Sequence, residues 1–122
     1  MTDSGTDTQQ AAQPLAGRSF HMMGIGGAGV SALAQLADAW GARVTGCDNA
    51  DSSFTALVRA KGIDVVLGHG AAHIDGGSEL VVSSAVPVDH PERVRAGEVG
   101  VHTWLRGELL GELTQARSSV VI

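Results

Sequence analysis

Four glycines in six residues, Gly24, Gly26, Gly27 and Gly29, join a short apolar run to a long helical pattern in "FHMMGIGGAGVSALAQLADAW". Gly24, Gly26 and Gly29 fit G-x-G-x-x-G, with Gly27 as an extra glycine. Such a loop suits phosphate. The first glycine permits a tight turn, the second lets backbone approach a diphosphate, and the third allows close packing of helix on strand. The helix that follows aims its free N–H groups and the positive end of its dipole at the anion. The pattern carries weight only in context, and the context is present: a strand before it, a helix after it, and Asp48 at the end of the next strand, 19 residues beyond Gly29. A carboxylate there accepts hydrogen bonds from a ribose or sugar hydroxyl. The plainer alternative is a ligand-free glycine turn, with Asp48 as a strand-end cap.

In open parallel sheets, ligands sit at the carboxyl ends of the strands where strand order reverses. Four stretches would then converge: the glycine loop, Asp48, Gly68-His69 and Ser83-Ser84-Ala85. His69 is suited to stacking on a base or bonding to it, or is a surface loop histidine. Ser83 and Ser84 can donate to phosphate or base oxygens, or cap the following turn. Cys47 reads as a small packed residue, because nothing near it in sequence is cationic enough to make a reactive thiolate. His21, His73, His90 and His102 lack ligand spacing. With one cysteine and no H-x-E or C-x-x-C pattern, no metal site and no structural zinc are expected. No G-x-S-x-G elbow is present and no histidine is placed to serve a serine, so no catalytic residue is assigned. The residues describe a binding site without a catalytic constellation.

These residues must be held by alternating elements. Residues 19–24, 42–48, 64–68, 79–85 and 101–104 read as strands. Helices are expected over residues 27–40, where Val30, Leu33, Ala37 and Trp40 share a face, and after Asp51 or Ser52, where Phe54, Leu57 and Val58 face inward. Two more helices are expected, one with Pro91 near its first position and one over residues 105–117. The consecutive apolar residues Leu80, Val81 and Val82 suggest a strand covered on both faces. Strand and helix alternate every 20 to 25 residues. The predicted fold is therefore α/β, a Rossmann-like doubly wound parallel sheet of about five strands with helices on both faces.

Size and charge exclude other classes. The 122 residues suffice for one domain with a real core. A net charge of −5 without a basic run argues against nucleic acid as a partner. No apolar stretch approaches the ~20 residues of a membrane helix. Residues 1–17 lack a signal-peptide pattern and read as a disordered tail. A single cysteine fits a reducing cytoplasm. Residues 118–122, "SSVVI", read as the start of a further strand. The loop over residues 68–77 is expected to be mobile, being rich in glycine and poor in large apolar residues.

"FHMMGIGGAGVSALAQLADAWGARVTGCD", "GIDVVLGH", "ELVVSSAVPVDHPE" and "WLRGELLGEL" together resemble the amino-terminal domain of the Mur ligases over residues 18–122. "GIGGAGVS" is close to that family's H-F-x-G-I-G-G-x-G-M-S, with Val30 for the usual methionine; Cys47 stands where the family more often has serine. The nearest branch joins L-alanine to UDP-N-acetylmuramate with ATP in cytoplasmic peptidoglycan synthesis. The resemblance implies a domain over residues 18–117 that binds this UDP-sugar and no dinucleotide. It also implies that residues 118–122 lead into a central ATP-binding domain, followed by a third domain, with ATP and Mg2+ serving the whole enzyme and no cofactor held by this fragment. The fragment would bind substrate without ligating it. Carried over by position, Gly24, Gly26, Gly27, Ala28 and Gly29 would meet the diphosphate, and Asp48, His69, Ser83, Ser84 and Ala85 the uridine. Arg106 in "LRGE" has an anion or a helix-start salt bridge as its uses. The residue pattern alone equally suits an NAD(H)-binding oxidoreductase domain. A regulatory nucleotide-sensing module and a muropeptide-recycling ligase of the same superfamily also stay open.

Overall fold

The computed structural model describes residues 14–68, 74 and 76–121, with side chains of the last helix described to residue 115. Along the chain run β1 (Ser19–Met23), α1 (Ala28–Ala39), β2 (Arg43–Asp48), α2 (Ser53–Ala60), β3 (Asp64–Leu67), β4 (Glu79–Val82), α3 (Pro91–Val99), β5 (Thr103–Leu105) and α4 (Arg106–Val121). The five strands form one parallel sheet in the order β3-β2-β1-β4-β5. The doubly wound sheet expected from the sequence is present. The chain steps outward from β1 through β2 to β3, then returns to lay β4 on the other side of β1. The carboxyl ends of β1 and β4 therefore form the switch point.

The period of two along each strand separates two apolar layers. Phe20, Met22, Val44 and Val81 pack with Val30, Leu33, Ala34 and Ala37 of α1, Val58 of α2, and Leu109 and Leu113 of α4. Met23, Cys47, Leu80 and Val82 pack on the other face with Ala96 of α3. Leu80, Val81 and Val82 have no exposed surface, as a strand covered on both faces requires. Each such side chain contributes about 1.5–3 kcal/mol by leaving water.

Three expectations change. The tail assigned to residues 1–17 ends earlier, because residues 14–17 form a turn with Leu15 buried in the α1 layer and its N–H donating to Trp40 O at 2.9 Å. One apolar residue with a place to pack fixes this turn. In α2, Phe54 and Leu57 are exposed, while Thr55 and Val58 are buried. The cause is the helix start. Ser52 caps α2, with its hydroxyl accepting from Thr55 N, and the Thr55 hydroxyl accepts from Ser52 N at 2.8 Å. That reciprocal pair turns Thr55, and Val58 one turn later, toward the core. Finally, α4 continues through Val121, where residues 118–122 were expected to begin a strand. A strand needs a neighbour for its backbone groups, whereas a helix satisfies its own.

At the amino ends of the strands, away from the switch point, Glu79 joins three segments. It accepts from Arg18 Nη2 at 2.8 Å and Nε at 3.1 Å, and from Trp104 Nε1 at 2.9 Å. Partial burial works to raise the Glu79 carboxyl, but the hydrogen bonds from Arg18 and Trp104 outweigh it and hold the group below its ordinary 4.5. A depressed carboxyl stabilises the fold above its unfolded value, and that contribution is lost as pH falls through the folded value. Glu79→Gln is expected to cost about 1 kcal/mol near neutral pH, given the partial exposure of the pair. The gap to wild type should close as pH drops below 4.5. Urea unfolding at both pH values checks it; an equal gap at low pH would contradict the charge-based account.

Candidate functional site

At the switch point the glycine loop folds back on β2. Gly24 takes φ 73°, the left-handed turn that the first glycine was expected to supply. Its N–H and that of Ile25 donate to Cys47 O at 2.8 and 3.2 Å, and Gly27 N–H closes a turn on Gly24 O at 2.9 Å. Gly26 N–H donates to Asp48 Oδ2 at 2.8 Å. Three of the amides expected to face a diphosphate, those of Gly24, Gly26 and Gly27, are thus engaged within the chain. The next three differ. α1 starts at an N-cap, Gly27, that offers no side-chain cap, and its first turn carries no acidic residue. The N–H groups of Ala28, Gly29 and Val30 have no hydrogen-bond partner among the described residues. Gly27, Ala28 and Gly29 are exposed. An uncapped helix start open to solvent is an anion site in waiting.

Two glycines of the motif serve close approaches inside the protein. A Cβ on Gly26 would lie 2.8 Å from Asp48 Oδ2 and 2.9 Å from Thr55 Cγ2. A Cβ on Gly29 would lie 3.2 Å from Arg106 Cδ and 3.3 Å from Arg106 Nε. The Arg106 side chain therefore lies along the first turn of α1. Its sequence position suggests a helix-start salt bridge as one of two uses, yet among the described residues Arg106 has no ion pair. The α4 start is served by Glu108, which accepts from Leu105 N at 2.9 Å. Arg106 instead lines an open cleft of ≈ 460 Å3 with Ser83, Ser84, Ala85, Leu105, Gly107 and Glu108. The structure thus brings Ser83, Ser84 and Ala85 together with a guanidinium beside the glycine loop. The signal for Arg106 was its position directly after a strand, at the carboxyl edge of the sheet.

Asp48 lies at the end of β2, on the opposite flank of the loop from β4. Its carboxylate accepts from Gly26 N and, at 3.2 Å, from Ala50 N. A carboxylate has acceptor positions beyond these two for a ligand hydroxyl. Ser52 Oγ donates to Gly26 O at 3.2 Å and joins the α2 start to the loop. His69, and most of the loop expected to be mobile over residues 68–77, lie outside the described residues.

Beneath the loop is a polar cluster that the sequence spacing concealed. His21 on β1, Cys47 on β2 and Glu92 on α3 are all buried. Cys47 Sγ lies 3.5 Å from both Glu92 carboxylate oxygens, and His21 Nε2 lies 3.7 Å from Glu92 Oε1. Burial pushes the Cys47 thiol far up, and the charge and hydrogen bond of Glu92 push it further. Cys47 is therefore a protonated donor to Glu92, in keeping with the packed, unreactive residue expected from sequence. Glu92 was missed because a glutamate directly after a helix-starting proline reads as a solvated first-turn residue.

An open parallel sheet with a glycine loop, an uncapped helix and a carboxylate at its switch point defines a Rossmann-like α/β domain. Its kinship is narrower than that class: residues 19–118 match the family described as "Mur ligase family, catalytic domain", and the chain belongs to this family. It is similar to the UDP-N-acetylmuramate–L-alanine ligase of Deinococcus radiodurans, at 44% identity over 98% of this chain and 27% of that relative. Among solved structures it resembles the UDP-N-acetylmuramate-alanine ligase of Thermotoga maritima. That likeness has a TM-score of 0.75 and 30% identity, over 80% of this chain and 23% of the other. AibC shares the fold alone, with a TM-score of 0.52 and 16% identity over 93% of this chain and 44% of that one. The chain spans about a quarter of the length of the curated relatives it matches. No helix among the described residues is long and apolar enough to cross a membrane.

The loop contacts set a test of the geometry. Gly26→Ala drives a methyl against Asp48 and Thr55 and is expected to cost about 1–3 kcal/mol of stability in urea unfolding. Gly27→Ala, whose nearest neighbour would be Gly24 O at 3.4 Å, should cost less. The reverse order would contradict the contacts described for Gly26.

Proposed function

We propose that this chain is the UDP-N-acetylmuramate-binding domain of a cytoplasmic ligase that joins L-alanine to this nucleotide sugar at the expense of ATP. The observation that carries the reading is the pairing of the amides of Ala28, Gly29 and Val30, unpartnered among the described residues, with the Arg106 side chain alongside them. The diphosphate lies against this helix start, where backbone N–H groups, the helix dipole and one fixed cation act together. In a protein of net charge −5, such local donors must do the holding. Gly24, Gly26 and Gly27 shape the loop, and Asp48 fixes it through Gly26. Asp48 and the Ser83-Ser84-Ala85 segment flank the diphosphate from the β2 and β4 ends and meet the sugar and uridine, with His69 as a further uridine contact.

The relatives' names supply the substrate class and the reaction. ATP and Mg2+ serve the parent enzyme through its central domain; the A-G-T-H-G-K-T/S loop that the resemblance implies for ATP does not occur in these 122 residues. This chain's role is to bind and orient the muramyl substrate for the neighbouring domains, with no proton or acyl transfer of its own. An NAD(H) site is the competing reading, since G-x-G-x-x-G with Asp48 also suits a dinucleotide.

Calorimetric titration of the chain separates the two. UDP-N-acetylmuramate is expected to bind and NAD(H) to give no heat. Arg106→Ala should weaken binding about tenfold, the loss of one charge-assisted contact, without changing the circular dichroism spectrum. Binding of NAD(H) with silence toward the UDP-sugar would overturn the proposal. Full affinity in Arg106→Ala would remove the guanidinium from the site.

A further inference from the structure

The buried cluster of His21, Cys47 and Glu92 offers a nitrogen, a sulfur and a carboxylate oxygen within 4.8 Å of one another. Around a tetrahedral zinc ion, with Zn–S near 2.3 Å and Zn–N or Zn–O near 2.0–2.1 Å, ligand atoms are separated by roughly 3.3–3.6 Å. The separations here are 3.5 Å for Sγ to the carboxylate and 3.7 Å for Nε2 to Oε1. These two separations lie within a few tenths of an ångström of that range. His21 Nδ1 is 2.8 Å from Thr45 Oγ1. In the tautomer in which Nδ1–H donates to Thr45, Nε2 presents its lone pair toward Glu92. An outward hydrogen bond of this kind orients metal-binding imidazoles.

We propose that His21, Cys47 and Glu92 form a binding site for one divalent cation of the zinc class, independent of the nucleotide site above it. The charges favour it. A neutral imidazole, a thiolate and a carboxylate carry two negative charges, and a divalent cation brings the buried set to neutrality. Imidazole and thiolate select zinc-like cations over magnesium or calcium. As the Sγ–metal bond forms, the thiol proton leaves to solvent, so each bound ion releases one proton and nothing is oxidised or reduced. His21 and Thr45 also line an open cavity of ≈ 500 Å3 at the amino ends of the strands. The ion would join β1, β2 and α3, the elements that carry the glycine loop, Asp48 and the segment after Ser83.

Cobalt titration of the chelator-treated chain tests the site, because Cys47 is the single cysteine and any thiolate band reports it alone. The expected result is a near-ultraviolet thiolate-to-cobalt band with tetrahedral visible bands, saturating at one ion per chain and abolished by added zinc. Cys47→Ser, a near-isosteric change, should keep the circular dichroism spectrum, lose the band and bind zinc at least ~tenfold more weakly in a competition with a chromophoric chelator. Glu92→Gln should keep a thiolate band but lose affinity. Cobalt uptake without a thiolate band, or no uptake, would overturn the proposal and leave the trio as a hydrogen-bonded buried cluster. Unchanged zinc affinity in Cys47→Ser would overturn it equally.

Discussion

The hydrogen bond from Gly26 N–H to Asp48 Oδ2, 2.8 Å long, decides which backbone donors the glycine loop has left for a ligand. It answers the loop's most inward amide with a carboxylate of the chain itself. Gly24, Ile25 and Gly27 are likewise answered from within. The loop is thereby closed onto β2, and among the described residues the unanswered amides fall at Ala28, Gly29 and Val30, where α1 begins. A phosphate-binding loop is often pictured as a cradle of glycine amides. Here the glycines build the bend and permit close approach, and the proposed donors are the first turn of the helix.

That arrangement depends on the sheet below. Phe20 and Met22 anchor β1 in the α1 layer, while His21 and Met23 point to the α3 side. β1 is central in the sheet, bonded to β2 on one side and β4 on the other. The ends of all three strands are therefore held at fixed spacing around the loop. Arg106 reaches the same place because β5 ends beside β4 and α4 starts at once, leaving no loop in which the side chain could wander. The helix that carries Arg106 is fixed by the burial of Leu109 and Leu113, so the base of this side chain has its place before any ligand arrives.

The parts of this account that depend on local pattern were legible in the sequence. Apolar runs at Leu80-Val81-Val82 and the three- and four-residue spacing of Val30, Leu33 and Ala37 identified buried elements, and the glycine motif in its strand–helix context identified the loop. What depended on tertiary choice was not legible. Whether Phe54 or Thr55 faces inward is settled by the Ser52–Thr55 cap, which outweighs the greater hydrophobicity of phenylalanine. Arg106 next to glutamates reads as a surface ion pair until α4 is placed against α1. His21, Cys47 and Glu92 are separated by 26 and 45 residues, and only the pairing of β1 with β2 and the crossing of α3 bring them together. Residues 118–121 show the opposite limit, since local β-propensity suggested a strand where the backbone is helical.

The central claim is that the first turn of α1, and not the glycine amides before it, receives the diphosphate. The most direct measurement is the amide proton and nitrogen shifts of the isotopically labelled chain during titration with UDP-N-acetylmuramate. The account predicts large downfield movements at Ala28, Gly29 and Val30, with the Arg106 side-chain signals moving in step and the Gly26 amide, held by Asp48, moving least. Shifts concentrated at Gly24, Gly26 and Gly27, with the α1 start unmoved, would contradict it.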